Sequence, residues 1–509
     1  MIANTTNFPL RMEPAADLEI CRAFLQTADY TQPALCAGLK IGNMGDLGRV
    51  DWEALGVDAL PPALRWCIQV FARGLATEER AARDICGQEV LAAMLRTGLL
   101  RPSQKNDGRL VCPVWLYPVE HFLVASDRRD DPDGGVFKPA VDVVFPAIYA
   151  GTLRFLELLP ETPYAEVLDL CGGSGIGALH LSRTARMCVT ADLAERSARF
   201  AEFNARLNNI PMESLCGDLY APVQGRQFDF ISAHPPFVPE TADAMIYRDG
   251  GETGEAVTRR VVEGLPGHLR RGGTAMVLCV ACDREQSTFE QNAREWLGEA
   301  RDEFDIVFGL EKVLKVGEVV ASIGNQGRQA GDEAKRQLLG RLHKVGVKQF
   351  VYGALFFRRH GFPPGSPPVR VRLTPEGGAA DFEQLLAWRH FQRRPDMVEW
   401  LAAARPKPAQ ALELTVKYLA TEGELQPAEF VFSLESGFAA ALRPDAWLGP
   451  LVARLNGKQT VREVFEGAQA ANELPAGFDL QSFTALVRRM VDLGLLILPE
   501  RTGAIRLES

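Results

Sequence analysis

The sequence predicts an α/β protein: a parallel sheet covered on both faces, flanked by mostly helical units of winged-helix pattern at both ends. Two observations carry this. Between about residues 135 and 362, apolar strand-like runs alternate with amphipathic helices. Outside that stretch, helical periodicity dominates and strand signals are short. The implied domains are 1–130, 131–362 and 379–509, with 363–378 as a linker.

In the first unit, "TEERAARDICGQEVLAAMLRTGLL" spaces its apolar residues helically and closes on Gly98. "RLVCPVWLYPVEHFLVASD" then reads as two short strands around a turn near Pro118. Helices followed by a hairpin fit a winged-helix unit, a shape that selects no function by itself.

The central region offers seven strand candidates: "AEVLDL", "RMCVTAD", "MESLCGD", "FDFISA", "GTAMVLCVA", "FDIVFGL" and "VKQFVYGALFFRR". Helices such as "IGALHLSRTA" and "ERSARFAEFNARLNN" separate the early ones, and the last strand is a candidate for antiparallel pairing. "GFPPGSPPVRVRLTPEGG" is rich in proline and glycine and reads as a linker. Beyond it, Asn456–Gly457 is a turn signal. Asp479 is placed to cap a last helix ending at Gly494, before a short strand.

The 509 residues, 47% hydrophobic and 24% charged, have the composition of a globular protein. A formal charge of −9 opposes a nucleic-acid partner, because phosphate binding relies on basic surface. No window approaches the roughly 18 uncharged apolar residues of a membrane span, and the N-terminus lacks a signal-peptide pattern. Ten cysteines without framework spacing favour reduced thiols and a cytoplasmic setting. Cys279 and Cys282 form a CxxC inside an apolar run, which reads as core packing. No metal site is expected.

The chemistry gathers at strand tips. "VLDLCGGSGIGALHL" places Asp169 and then a glycine-rich turn between a strand and a helix, where glycines admit a ligand close to the backbone. Asp192 ends the second strand, where a carboxylate accepts ribose hydroxyls. Asp218 ends the third, placed to meet an adenine amino group. Three acids at successive carboxyl ends line the crevice where doubly wound sheets bind nucleosides. The fourth strand then runs into His234-Pro235-Pro236-Phe237.

With that motif, residues from about 140 to 362 resemble a class I S-adenosylmethionine-dependent methyltransferase of the small-domain, HemK-like branch, which carries Asn-Pro-Pro-Tyr or Asn-Pro-Pro-Phe there. "FAEFNARLNN", "GDLYAPV", "YRDGGETGEAV", "LRRGGTAMVL" and the upstream "GGVFKPAVDVVFPAIYAGTLRFLELL" agree with it. The resemblance implies a Rossmann-like seven-stranded sheet and S-adenosyl-L-methionine as cofactor. It implies cofactor contacts from Asp169, Cys171, Gly172, Gly173, Gly175, Asp192, Leu193, Asn204, Asp218, Leu219 and His234. Catalytic positions would be His234, Pro235, Pro236 and Phe237, with Phe237, Tyr247 and Arg248 toward substrate.

Two departures stand out: Cys171 replaces the first glycine of the turn, and His234 replaces the asparagine. In N-methylating relatives that asparagine and the first proline carbonyl accept hydrogen bonds from the target NH₂. Histidine either accepts a hydrogen bond in its place or removes a proton as a general base. The expected function is methyl transfer to a nitrogen or oxygen of a small metabolite, natural-product intermediate or peptide, with a homodimer left open. A nucleic-acid base methyltransferase, a non-catalytic S-adenosylmethionine sensor and a nicotinamide-dependent oxidoreductase are the alternatives.

Overall fold

The computed structural model describes residues 8–498 apart from 53–58, 106, 138, 240–249, 326–331, 361–364 and 422. All seven expected strands form: β1 (Glu166–Leu170), β2 (Met187–Asp192), β3 (Met212–Cys216), β4 (Phe228–Ala233), β5 (Leu269–Arg284), β6 (Phe304–Leu314) and β7 (Val347–Arg359). Four more extend the sheet: β8 (Val369–Leu373), β9 (Glu413–Thr421), β10 (Glu424–Leu434) and β11 (Phe438–Leu442). Their order is β9-β10-β11-β8-β6-β7-β5-β4-β1-β2-β3.

Strands β1 to β5 pair in parallel, and β7 inserts antiparallel between β5 and β6. The middle strands read as nearly unbroken apolar runs because helices cover both faces. Phe228, Phe230, Ile231 and Ala233 of β4 are all buried. The chain runs outward from β1 to β3 and returns on the other side of β1 as β4. A crevice therefore opens between the carboxyl ends of β1 and β4. Four helices frame it: α1 (Ala150–Glu157), α2 (Ile176–Leu181), α3 (Glu195–Leu207) and α4 (Ala256–His268).

Residues 363–378, expected as a linker, instead supply β8, which pairs in parallel with β6 from Val307↔Val369 to Leu310↔Arg372. The five-residue alternation "VRVRL" is a strand pattern hidden between proline- and glycine-rich flanks. The hairpin in the first unit forms from Trp115–Val119 and Phe122–Ser126, with Pro118 inside a strand opposite Leu123. Its reversal falls at Glu120, whose φ is 53°, rather than near Pro118. Proline's fixed φ is compatible with extended chain, so it marks no break there.

Ahead of that hairpin, helix Pro62–Cys67, strand Thr77–Glu78, helices Glu79–Cys86 and Gln88–Thr97, and strands Arg101–Pro102 and Arg109–Val111 follow in turn. The three strands form an antiparallel sheet with the last in the middle. At the other end, the Asp479 carboxylate accepts the Ser482 N–H at 2.8 Å and caps helix Leu480–Asp492. Gly494 follows with φ 75°. The short strand Leu496–Ile497 pairs with Lys407–Pro408.

Candidate functional site

The glycine turn after β1 is shaped by what its neighbours cannot accommodate. A Cβ on Gly172 would lie 1.9 Å from Thr190 Oγ1, and one on Gly177 2.6 Å from the Asp169 carboxylate. Gly175, at φ 79°, sits against Ala201. Gly173, at φ 53°, has nothing within 4 Å on its Cβ side and faces open space. Cys171 takes the left-handed φ of 56° that a glycine would adopt freely. Burial pushes its thiol well up, with the Asp192, Asp169 and Asp218 carboxylates adding to the effect.

Asp169 is buried, and its Oδ1 accepts the Ser232 hydroxyl from β4 at 2.7 Å. Burial pushes its carboxyl up to about 7, against the hydrogen bonds from Ser232 and the Ala178 backbone. Asp192 is half-buried at the tip of β2. It accepts the Gly173 N–H and the Ala194 N–H, both at 2.9 Å. Burial raises its pKa despite those bonds. Asp218 lies at the rim, where Arg260 of α4 donates to it at 2.7 Å. Leu219, at φ 49°, and the exposed Leu193 complete that wall.

Strand β4 ends at Ala233, and His234 turns into the crevice. Its ring stacks between Phe155 of α1, 5.4 Å away at 18°, and Phe237, 6.1 Å away at 27°. Among the described residues neither ring nitrogen carries a hydrogen bond. Burial in this aromatic sandwich lowers its pKa to about 4, so the imidazole is neutral at pH 7.

These residues line one cavity of about 1080 Å³, which contains Asp169, Cys171, Gly172, Gly173, Asp192, Leu193, Asp218, Leu219 and His234 through Phe237. Gly175 stands behind its wall. Asn204 does not reach it. Its side chain is fully buried, donating to the carbonyls of Ala125 and Ser174 and accepting the Ala125 N–H at 2.8 Å. It therefore ties the first unit's hairpin to the glycine turn, and the expected cofactor contact from Asn204 is corrected to a support role. Tyr247 and Arg248 lie outside the described residues.

The segment before α1 closes the cavity with Asp142, Val144, Phe145, Ala147 and Tyr149. Asp127 pins it by accepting the Val144 N–H at 2.8 Å while paired with Arg196 of α3. Arg129 lies over the Tyr149 ring at 4.8 Å. Sequence reasoning missed Ser232, Phe155, Arg260 and Tyr352 as parts of the site. Ser232 carried a signal, as a hydroxyl two residues before His234 in an otherwise apolar strand end; the others come from helices and a strand distant in sequence.

The arrangement fits a nucleoside-bearing cofactor: side-chain-free backbone faces open space at Gly173, and a carboxylate stands on the next strand tip. Residues 146–295 match the family model described as methyltransferase small domain. A protein of Methanocaldococcus jannaschii, provisionally named a protein N5-glutamine methyltransferase, is 27% identical over 163 residues, 31% of this chain and 78% of that one. A release factor glutamine methyltransferase of Koribacter versatilis is 34% identical over 132 residues, covering 23% and 47%. A ribosomal protein uL3 glutamine methyltransferase of Bradyrhizobium diazoefficiens is 32% identical over 133 residues, covering 22% and 40%. The chain thus spans less than half the length of the last two.

Fold, site and family match together define a class I methyltransferase that uses S-adenosylmethionine. Over the matched region the chain is similar to glutamine methyltransferases of the HemK-like branch, with His-Pro-Pro-Phe in the place of the branch's usual motif.

Proposed function

We propose that this enzyme methylates a nitrogen in a planar group carried by a peptide or small molecule, with His234 steering that nitrogen. The carrying observation is the neutral imidazole, clamped between Phe155 and Phe237 on the rim beside the glycine turn. The glutamine-methylating relatives support a planar, peptide-borne acceptor. S-adenosylmethionine supplies an electrophilic methyl when bound. What the chain must add is alignment, which a fixed cavity provides.

A neutral imidazole accepts one hydrogen bond and donates another. Held at about 4, it accepts an N–H well at pH 7 but holds a transferred proton poorly. This favours positioning over general-base action. Pro235 offers a second acceptor, since its carbonyl is free and no N–H competes. Phe237 gives the flat wall for the planar group. We read Asp192 as the ribose-binding carboxylate and Asp218 as the residue toward the adenine. The oxygen-acceptor reading stays second, since a hydroxyl gains less from an acceptor of this low basicity.

The same reading gives the first unit, with its helix–strand–helix–helix–strand–strand order, a winged-helix part in substrate selection. A reducing, cytoplasmic setting is supported by ten free cysteines. No helix among the described residues is long and apolar enough to cross a membrane. The test is transfer of labelled methyl from S-adenosylmethionine into a fractionated lysate. Label is expected in the peptide or small-molecule fractions; label in nucleic acid, or none despite cofactor binding, contradicts the proposal.

A further inference from the structure

The far edge of the sheet carries a surface that the active site does not use. In the β9–β10 hairpin, β9 presents Leu414, Val416, Tyr418 and Ala420 on one face. Opposite them in register stand Phe432, Phe430, Pro427 and Leu425, so this face is wholly apolar. The other face pairs Glu413 with Ser433, Thr415 with Val431, Lys417 with Glu429, Leu419 with Gln426 and Thr421 with Glu424, and is mostly polar. Alternation of this kind marks a sheet with one face covered.

Only the root of the apolar face is covered. Phe432 and Leu434 are buried in the C-terminal helical core, and helix α5 (Leu448–Arg454) reaches Leu414, where a Cβ on Gly449 would lie 3.6 Å from its Cδ2. Toward the tip, Tyr418 is 54% and Leu425 70% exposed. Strand β9 is also the last of the sheet and has no neighbour on its outer side among the described residues. A nine-residue edge without proline is a template for pairing with another strand.

We infer that this edge joins two copies of the chain through antiparallel β9–β9 pairing about Thr415. The charge pattern selects this partner. In that register Glu413 of each copy faces Lys417 of the other, Leu414 faces Val416, and Thr415 meets its own counterpart. Arg443 occupies Glu429 at 2.8 Å, so among the described residues Glu413 and Lys417 have no ion-pair partner. Cross-strand pairs of opposite charge stabilise antiparallel sheets. That register pairs residues 413–417 of the two copies, since the strand begins at Glu413. The interface is isologous, as a two-fold dimer requires.

The test is sedimentation equilibrium of the full chain at micromolar concentration. The wild type is expected at twice the chain mass. Glu413→Lys alone and Lys417→Glu alone each set like charges opposite one another twice per dimer, and each weakens association about tenfold or more. An equimolar mixture of the two variants restores opposite charges and associates as tightly as wild type. Unfolding midpoints equal to wild type show that neither substitution acts through folding. A monomeric wild type, a dimer indifferent to both reversals, or a mixture no tighter than either variant alone overturns the inference.

Discussion

The two ends of the sheet are built on opposite terms. Around β1, β2 and β4 the carboxyl ends crowd buried polar groups against glycines that tolerate no side chain, and the strands are inaccessible on both faces. Around β9 and β10 the strands are amphipathic, exposed and free of buried ionisable groups. The first arrangement stores desolvation cost at fixed positions, as a ligand site demands. The second spends little on precision and leaves apolar area for another surface. A substitution of the same size should therefore matter far more at one end than at the other.

The steepest expected effect is Gly177→Ala. Its added methyl must displace the buried Asp169 carboxylate from 2.6 Å, and cofactor affinity by calorimetry should fall about a hundredfold, about 3 kcal/mol. Asn204→Ala comes next. It orphans the carbonyls of Ala125 and Ser174 and the Ala125 N–H, so urea unfolding should show a loss of about 2–4 kcal/mol. Its cofactor affinity should fall less than that of Gly177→Ala, because its side chain stands behind the cavity.

A third effect concerns pH, where two buried groups act with opposite sign. His234 is held at about 4, below its unfolded value. Between roughly pH 6.5 and 4 the unfolded chain binds the extra proton, and stability falls as pH falls. Asp169 is held up at about 7. Between roughly pH 4 and 7 the folded chain keeps the proton that the unfolded chain has lost, and stability falls as pH rises. Asp169→Asn removes only the second contribution. Its unfolding free energy relative to wild type should therefore improve from pH 5 to pH 8, by an amount on the order of 2 kcal/mol. An unchanged difference across that range would show that Asp169 is not buried as described. The smallest effect belongs to the far edge: Leu425→Ser should alter stability by no more than about 0.5 kcal/mol and leave cofactor affinity unchanged.

The same contrast explains what was legible in the sequence. Fully buried parallel strands ending in acid, glycine or His-Pro-Pro-Phe announce themselves, because burial and close ligand approach both restrict residue choice. The seven central strands and most cavity residues were readable for that reason. Asn204 was readable as important but not as to its role, since its partners Ala125 and Ser174 lie 79 and 30 residues away. Strand β8 was masked because proline and glycine flank a run of only five residues. The β9–β11 meander went unread because exposed strands alternate polar and apolar residues, and Ala428 bulges out of β10 opposite the Lys417–Tyr418 step and breaks that strand's period. Phe155 and Tyr352 reach the cavity only through tertiary packing.

On the proposed function, cofactor binding and acceptor positioning belong to separate residues of one cavity. The most direct test compares His234→Ala and Asp192→Ala in S-adenosylmethionine calorimetry and in labelled-methyl transfer. His234→Ala is predicted to bind cofactor within about threefold of wild type yet transfer methyl at least about a hundredfold more slowly, while Asp192→Ala loses binding first. Transfer that survives in His234→Ala, or binding and transfer lost together in that variant, would contradict the account.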